Sequence, residues 1–180
     1  HEVFRVNMTG NWNVLEAAEV HGISKVVLAS SVNAVGGVFS KGITPRPYFP
    51  MDEEHPTFAE DAYSQGKWIG EQMGDAFVRR RPGEVQIASM RFHGLMGRER
   101  QAALNAADVR HGAYGTNAMH FWGWTDFAEA ARACVLAIEV DFGGHEAFFI
   151  NSEDTSADEP TEELIKKVYP EAEIRSPMPG

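Results

Sequence analysis

One cysteine, Cys134, stands in the whole chain, so no disulfide can form within it and a cysteine-stapled secreted scaffold is excluded. A reducing compartment is the expectation, with Cys134 as apolar packing in a helical stretch. No apolar run approaches the roughly 18–20 residues of a membrane span. The opening residues hold no basic-then-apolar leader, and a cytoplasmic protein without a membrane partner is expected. Basic residues are scarce too, 16 Lys and Arg against 26 Asp and Glu, for a net charge of −10. That balance lacks the footprint of a nucleic-acid binder. His111, His120 and His145 fall at no metal-ligand spacing, with each other or with carboxylates. No metal is expected. The aromatic run from His120 to Trp124 has no basic groove beside it, so packing is expected of it rather than base stacking.

What is present is ordinary globular material, 43% hydrophobic and 23% charged over 180 residues. The length suits one domain, or a domain with a small lobe. Residues 3–20 carry an apolar side and end at His21-Gly22, which predicts a helix. Lys25 to Ala29 is a short continuous apolar run of the kind buried in a parallel sheet. Glycine and proline crowd residues 36–61, a loop composition, and helical patterning returns from about Ala62 to Arg80. Arg79, Arg80 and Arg81 close that helix, where positive charge suits the dipole. Val85 to Arg91 is a second buried strand. Beyond it the pattern predicts a helix over 98–110, a loop over 112–118, and an extended segment from His120 to Trp124. A helix follows from Asp126 to Val140, capped by Thr125. The chain closes with a strand from Glu146 to Asn151, a helix from Thr161 to Val168 and an extended tail from Ile174. Helix, strand, helix, strand with buried-type strands predicts an α/β fold around a parallel sheet.

Ligands of such sheets sit outside the carboxyl ends of the strands. Ser30 and Ser31 fall at one such end, and Arg91, Phe92 and His93 at the next. The helix between them carries Tyr63 and Lys67 four residues apart, which stacks them on one face. A lysine ammonium beside a tyrosine stabilises the phenolate, so the pair is a compact acid–base device. Alone, such a pair recurs by chance as two residues sharing a solvated face. Its value comes from its neighbours in the chain.

Those neighbours carry a resemblance. Val6 to Ala18 (VNMTGNWNVLEAA), Val26 to Gly36 with Ser30-Ser31, Asp52-Glu53, Pro56 and Tyr63 with Lys67 follow one another as in the extended short-chain dehydrogenases/reductases. Arg91-Phe92-His93-Gly94 resembles that family's next strand end, where asparagine is more usual than His93. Phe121 to Ala131, with Asp126, resembles its return to the substrate lobe. The resemblance implies a Rossmann-type doubly wound parallel sheet, incomplete at its N-terminal side, with a small C-terminal substrate lobe. Residues 1–97 would belong to the NAD(P)-binding domain, and 98–180 to the interleaved lobe. It further implies Tyr63 as catalytic acid/base, Lys67 as its modulator and ribose partner, and Ser31 beside the reacting hydroxyl or carbonyl. Ser30 takes that place if the register slips by one. Asn7, Phe92 and His93 would line the cofactor, NAD or NADP. A small sugar or sugar-acid substrate and a homodimer built on the Tyr63–Lys67 helix are implied as well.

Three departures stand out. No Gly-x-Gly-x-x-Gly phosphate loop precedes Asn7, where only six residues exist, so a missing phosphate-binding part is expected. The loop between Ser31 and Tyr63 is long, and Phe39, Tyr48 and Phe49 could wall a substrate. The lobe after Lys67 is small, closer to uronate dehydrogenases than to nucleotide-sugar epimerases. Arg91, Arg98, Arg100 and Arg110 are candidate partners for a carboxylate or phosphate. A non-catalytic dinucleotide-binding or scaffold relative, or an inert fragment, is the alternative reading. Ser31, Tyr63 and Lys67 together speak against the first.

Overall fold

The buried-type apolar runs do become parallel strands. A computed structural model describes residues 2–106 and 116–178. In chain order its elements are α1 (Glu2–Val20), β1 (Lys25–Ala29), a 3-10 turn (Val32–Val35), β2 (Tyr48–Phe49) and α2 (Ala62–Arg80). Then come β3 (Gln86–Phe92), β4 (Leu95–Met96), α3 (Arg98–Ala106), α4 (Thr116–Met119), β5 (Thr125–Asp126) and α5 (Phe127–Glu139). The chain closes with β6 (Gly144–Ile150), α6 (Thr161–Val168) and β7 (Glu173–Ile174).

The main sheet has the order β1-β3-β6, every pair parallel, with Ala29 opposite Met90 and Met90 opposite Phe148. Side chains alternate across the central strand. Ile87 joins Leu15, Leu28 and Phe77 beneath α1 and α2. Ala88 and Met90 join Ala137 of α5 on the opposite face. Helices thus cover both faces, the doubly wound arrangement that the sequence predicts, and burial of side chains such as Leu15 or Ile87 contributes about 1.5–3 kcal/mol each. A third cluster gathers Val32, Val35, Phe49, Phe121, Trp122, Leu164, Ile165 and Tyr169 into the smaller lobe. The tail is tied back to it, because β7 pairs with β2 in parallel.

Helix α2 has two working faces. Gly66, Gly70 and Gly74 repeat every four residues, and a Cβ on them would press on Asn7, Asn11 and the His145 ring. This glycine stripe lets α1 and β6 approach closely. Arg80, beyond suiting the dipole, crosses to α1, stacking over Trp12 and pairing with Glu19 at 3.0 Å. His145 is held on both sides, by Ser89 Oγ at 2.9 Å and Asp75 Oδ1 at 2.8 Å. A Gly74→Ala Cβ would lie 2.8 Å from that ring. Crowding of this kind costs about 1–3 kcal/mol, so Gly74→Ala should lower the urea midpoint while Gly10→Ala, on the exposed side of α1 with nothing near its Cβ, should not.

Several sequence expectations are corrected. Thr125 does not cap α5; Asp126 does, accepting the Ala128 N–H at 2.8 Å. The segment from His120 to Trp124 is not extended but a tight turn, with Phe121 and Trp122 both at φ 56°. Such backbone costs about 1–3 kcal/mol per residue. Here Trp122 accepts from the Ser156 N–H at 2.8 Å and its ring is fully buried, so packing outweighs the strain. Residues 116–118, expected as loop, belong to a helical turn that runs from Thr116 to Met119. The C-terminal part of the predicted 98–110 helix, with Arg110 and His111, lies outside the described residues. Among the described residues no helix is long and apolar enough to cross a membrane. Cys134 is half-buried against the Ala137 cluster.

Candidate active site

The site begins with a helix cap. Asp61 accepts the N–H groups of Tyr63 at 2.8 Å and Ser64 at 3.0 Å, satisfying two donors that the start of α2 leaves without partners. This fixes where the first turn starts and so where Tyr63 points. One turn on, the Lys67 Nζ stands 5.6 Å from the centre of the Tyr63 ring and donates to the Ala29 carbonyl at 2.5 Å. Burial pushes Lys67 below the ordinary lysine value, because the charged form loses its hydration. Phe39, from the long loop, packs edge-on against Tyr63 with ring centres 5.3 Å apart. Of the loop aromatics, Phe39 thus stands against the tyrosine, while Phe49 is buried in the core of the smaller lobe.

At the carboxyl end of β1, Ser30 and Ser31 take different roles. Ser31 caps the 3-10 turn, its Oγ accepting from Asn33 N at 3.2 Å and Asn33 Nδ2 at 3.3 Å. Both bonds use the oxygen as acceptor, so the hydroxyl proton remains available to donate. Ser30 turns away and donates to Glu71 Oε1 at 2.5 Å. Gly36 closes the turn at φ 80°, ψ 155°, a region open in effect only to glycine. Asn7 lies behind α2 against Gly66, with its buried Nδ2 lacking a hydrogen-bond partner.

Phe92 and His93 sit at the end of β3. The His93 ring packs on Gly123, and the residue's backbone N–H donates to Thr125 Oγ1 at 3.0 Å. Burial, reinforced by nearby His120, pushes His93 down to about 3. The unfolded chain therefore binds a proton that the folded one refuses, and stability falls as the pH drops from about 6.5 toward about 3. His55 adds the same sign, pushed down to about 4 mainly by burial. Each such proton steepens acid destabilisation by about 1.4 kcal/mol per pH unit. Denaturant titrations across that window should show a shallower acid slope for His93→Asn than for the unaltered protein, and equal slopes would contradict the assignment.

His93 also lines a cleft of about 200 Å³ with Phe49, Trp122, Phe149, Glu153 and Asp154. Its charged lining is acidic. Arg91, Arg98 and Arg100, expected to meet a substrate anion, are not among its lining residues, although Arg98 reaches to 4.0 Å from Asp154. Arg91 is locked to Glu71 at 2.9 Å, Arg98 is exposed and pairs with Glu129 at 2.9 Å, and Arg100 is exposed. Ser31, Tyr63 and Lys67 are not part of this cleft's wall.

Sequence reasoning missed Asp61, Glu71 and Arg46. Asp61 carried a legible signal, a capping residue just before a helical pattern. Glu71 had the four-residue spacing after Lys67. Arg46 had none; its buried guanidinium lies between Phe58 and Phe121 and donates to the Val35 and Gly36 carbonyls at 2.7 and 2.8 Å.

Residues 1–150 match the family described as NAD dependent epimerase/dehydratase. A putative UDP-glucose 4-epimerase of Methanocaldococcus jannaschii is 33% identical over 104 residues, covering 58% of this chain and 31% of that protein. Human UDP-glucose 4-epimerase is 34% identical over 73 residues, covering 40% of this chain and 19% of its own. The chain thus spans a third or less of the curated relatives it matches. Among solved structures, MoeE5 in complex with UDP-glucose and NAD superposes with a TM-score of 0.60 at 22% identity, over 96% of this chain and 58% of that one. A mutated uronate dehydrogenase gives 0.57 at 20% identity, over 92% and 56%. At such identities these two show likeness of fold.

Proposed function

Because the chain belongs to the NAD dependent epimerase/dehydratase family, we propose that it supplies the acid–base machinery of an NAD(P)-dependent oxidoreductase or epimerase acting on a sugar, sugar acid or nucleotide sugar. The observation that carries this reading is Lys67, drawn out of water and held beside the Tyr63 ring at the carboxyl end of β1. Tyr63 exchanges the proton of a substrate hydroxyl. The Lys67 charge stabilises the phenolate that remains, and Ser31 donates a hydrogen bond to the reacting oxygen.

The residues present fit the nicotinamide end of a dinucleotide. Lys67 can serve its ribose, Asn7 keeps a buried amide N–H without a partner close by, and Phe92 and His93 end the neighbouring strand. When bound, the cofactor accepts or returns a hydride. No glycine-rich phosphate loop occurs in the 180 residues, so no pyrophosphate contact is assigned to them. In this reading residues 1–97 serve the cofactor and 98–180 form the substrate lobe, interleaved because β6 returns to the sheet. UDP-glucose epimerases among the relatives support a nucleotide sugar. The exposed Val3, Val6 and Val14 of α1 support a homodimer through α1 and α2.

Calorimetric titration of the full-length protein with NAD and with NADP tests the reading. Saturable binding of one or both is expected. No heat with either at millimolar cofactor would contradict it.

A further inference from the structure

Two residues behind the site share one buried structure. Arg91 donates to Glu71 through both arms of its fork, Nε to Oε1 at 3.0 Å and Nη2 to Oε2 at 2.9 Å. Their side chains are 8% and 3% exposed. A buried ion pair is no efficient stabiliser, since apolar residues of equal volume often serve as well. What it adds is orientation, because the planar guanidinium fixes the carboxylate plane.

That carboxylate lies where orientation matters. Glu71 follows Lys67 by four residues on α2. Lys67 binds the Ala29 carbonyl and Glu71 accepts from Ser30 Oγ, so consecutive turns of α2 grip the last residue of β1 and the one after it, immediately before Ser31. The third arm of Arg91 donates to the Glu53 carbonyl at 3.0 Å, and the Glu53 carboxylate accepts the Phe149 N–H at 2.9 Å. The Phe149 ring lies 5.0 Å from the guanidinium. One ion pair thus ties the helix of Tyr63 to the strand end of Ser31, to the long loop and to β6.

We propose that Glu71 and Arg91 are positioning residues, which hold the Ser31 segment in register with Tyr63 and Lys67. The inference rests on the acid–base reading of that site. Misplacement of a reacting group by about 1 Å can cost about 100-fold in rate, so the effect falls on kcat rather than on cofactor binding.

The test is a Glu71→Leu, Arg91→Met double variant of the full-length protein, in which an apolar pair replaces the ionic one. Expected is a melting temperature close to the unaltered protein's, kcat lower by at least about tenfold and KM for the cofactor within about twofold. A double variant with unaltered melting and unaltered kcat would overturn the proposal. If the double variant does not fold, Glu71→Gln and Arg91→Lys, assayed well below their melting temperatures, must show the same split between kcat and KM. Full activity in both would overturn it. If the unaltered protein turns over no sugar, the acid–base reading fails on its own. Hydrogen exchange over residues 29–33 then decides the positioning role, with faster exchange in the variants expected and unchanged exchange contradicting it.

Discussion

Replacing Tyr63 with Phe should lower kcat by about 10²–10⁴-fold and leave the Kd for NAD or NADP within about twofold. The substitution removes one O–H and nothing else. Its ring would keep the edge contact with Phe39 at 5.3 Å and the place beside Lys67, and the Asp61 cap binds backbone N–H groups that Phe also offers. Loss of turnover with intact binding and an intact melting curve therefore isolates proton transfer. Lys67→Met should differ, because Lys67 holds the Ala29 carbonyl and, in the proposed role, serves the cofactor ribose as well as the phenolate. Weaker cofactor binding is expected there together with lost turnover. Unchanged turnover in Tyr63→Phe, measured on a substrate that the unaltered protein converts, would remove tyrosine from the chemistry.

Gly36→Ala should be the costliest single methyl in the described chain. At φ 80° and ψ 155° an alanine costs about 1–3 kcal/mol for its backbone alone. Its Cβ would also stand 2.6 Å from the Phe58 carbonyl carbon and oxygen. That is backbone, held in place because Phe58 N donates to the Val35 carbonyl at 3.0 Å. Moving it costs about as much again, against a total stability of about 5–15 kcal/mol for an ordinary domain. The same shift would disturb the turn that Ser31 caps, so kcat should fall even where the variant is fully folded. A urea midpoint equal to the unaltered protein's would show that the loop has more room than its contacts imply.

The fold was legible where one principle dominated. Apolar runs such as Lys25–Ala29 and Gln86–Phe92 need burial on both faces, and the sheet supplies it. The helical patterning from about Ala62 marked the start of α2 to within a residue. Tyr63 and Lys67 could be read because helical spacing alone brings them together. Arg91 was misread as a partner for a substrate anion, since composition does not reveal that Glu71 meets it across helix and strand. The turn at Phe121 and Trp122 was misread as extended because aromatic residues favour strands, while here the burial of Trp122 and the bonds to Asn117 and Ser156 hold them at positive φ. The glycine stripe of α2 was visible as a spacing. Its purpose, close approach of α1 and His145, needed the packed helices.

The central claim is hydride transfer to or from a nicotinamide, served by the Tyr63 proton. Its most direct test is the NADH or NADPH absorbance band, followed as full-length protein and oxidised cofactor meet a panel of nucleotide sugars, neutral sugars and uronates. For at least one sugar the band should rise, persistently in a dehydrogenase and transiently in an epimerase or dehydratase, with Tyr63→Phe suppressing it. Saturable cofactor binding with no reduction by any member of the panel would contradict the account and favour a relative that binds dinucleotide without chemistry.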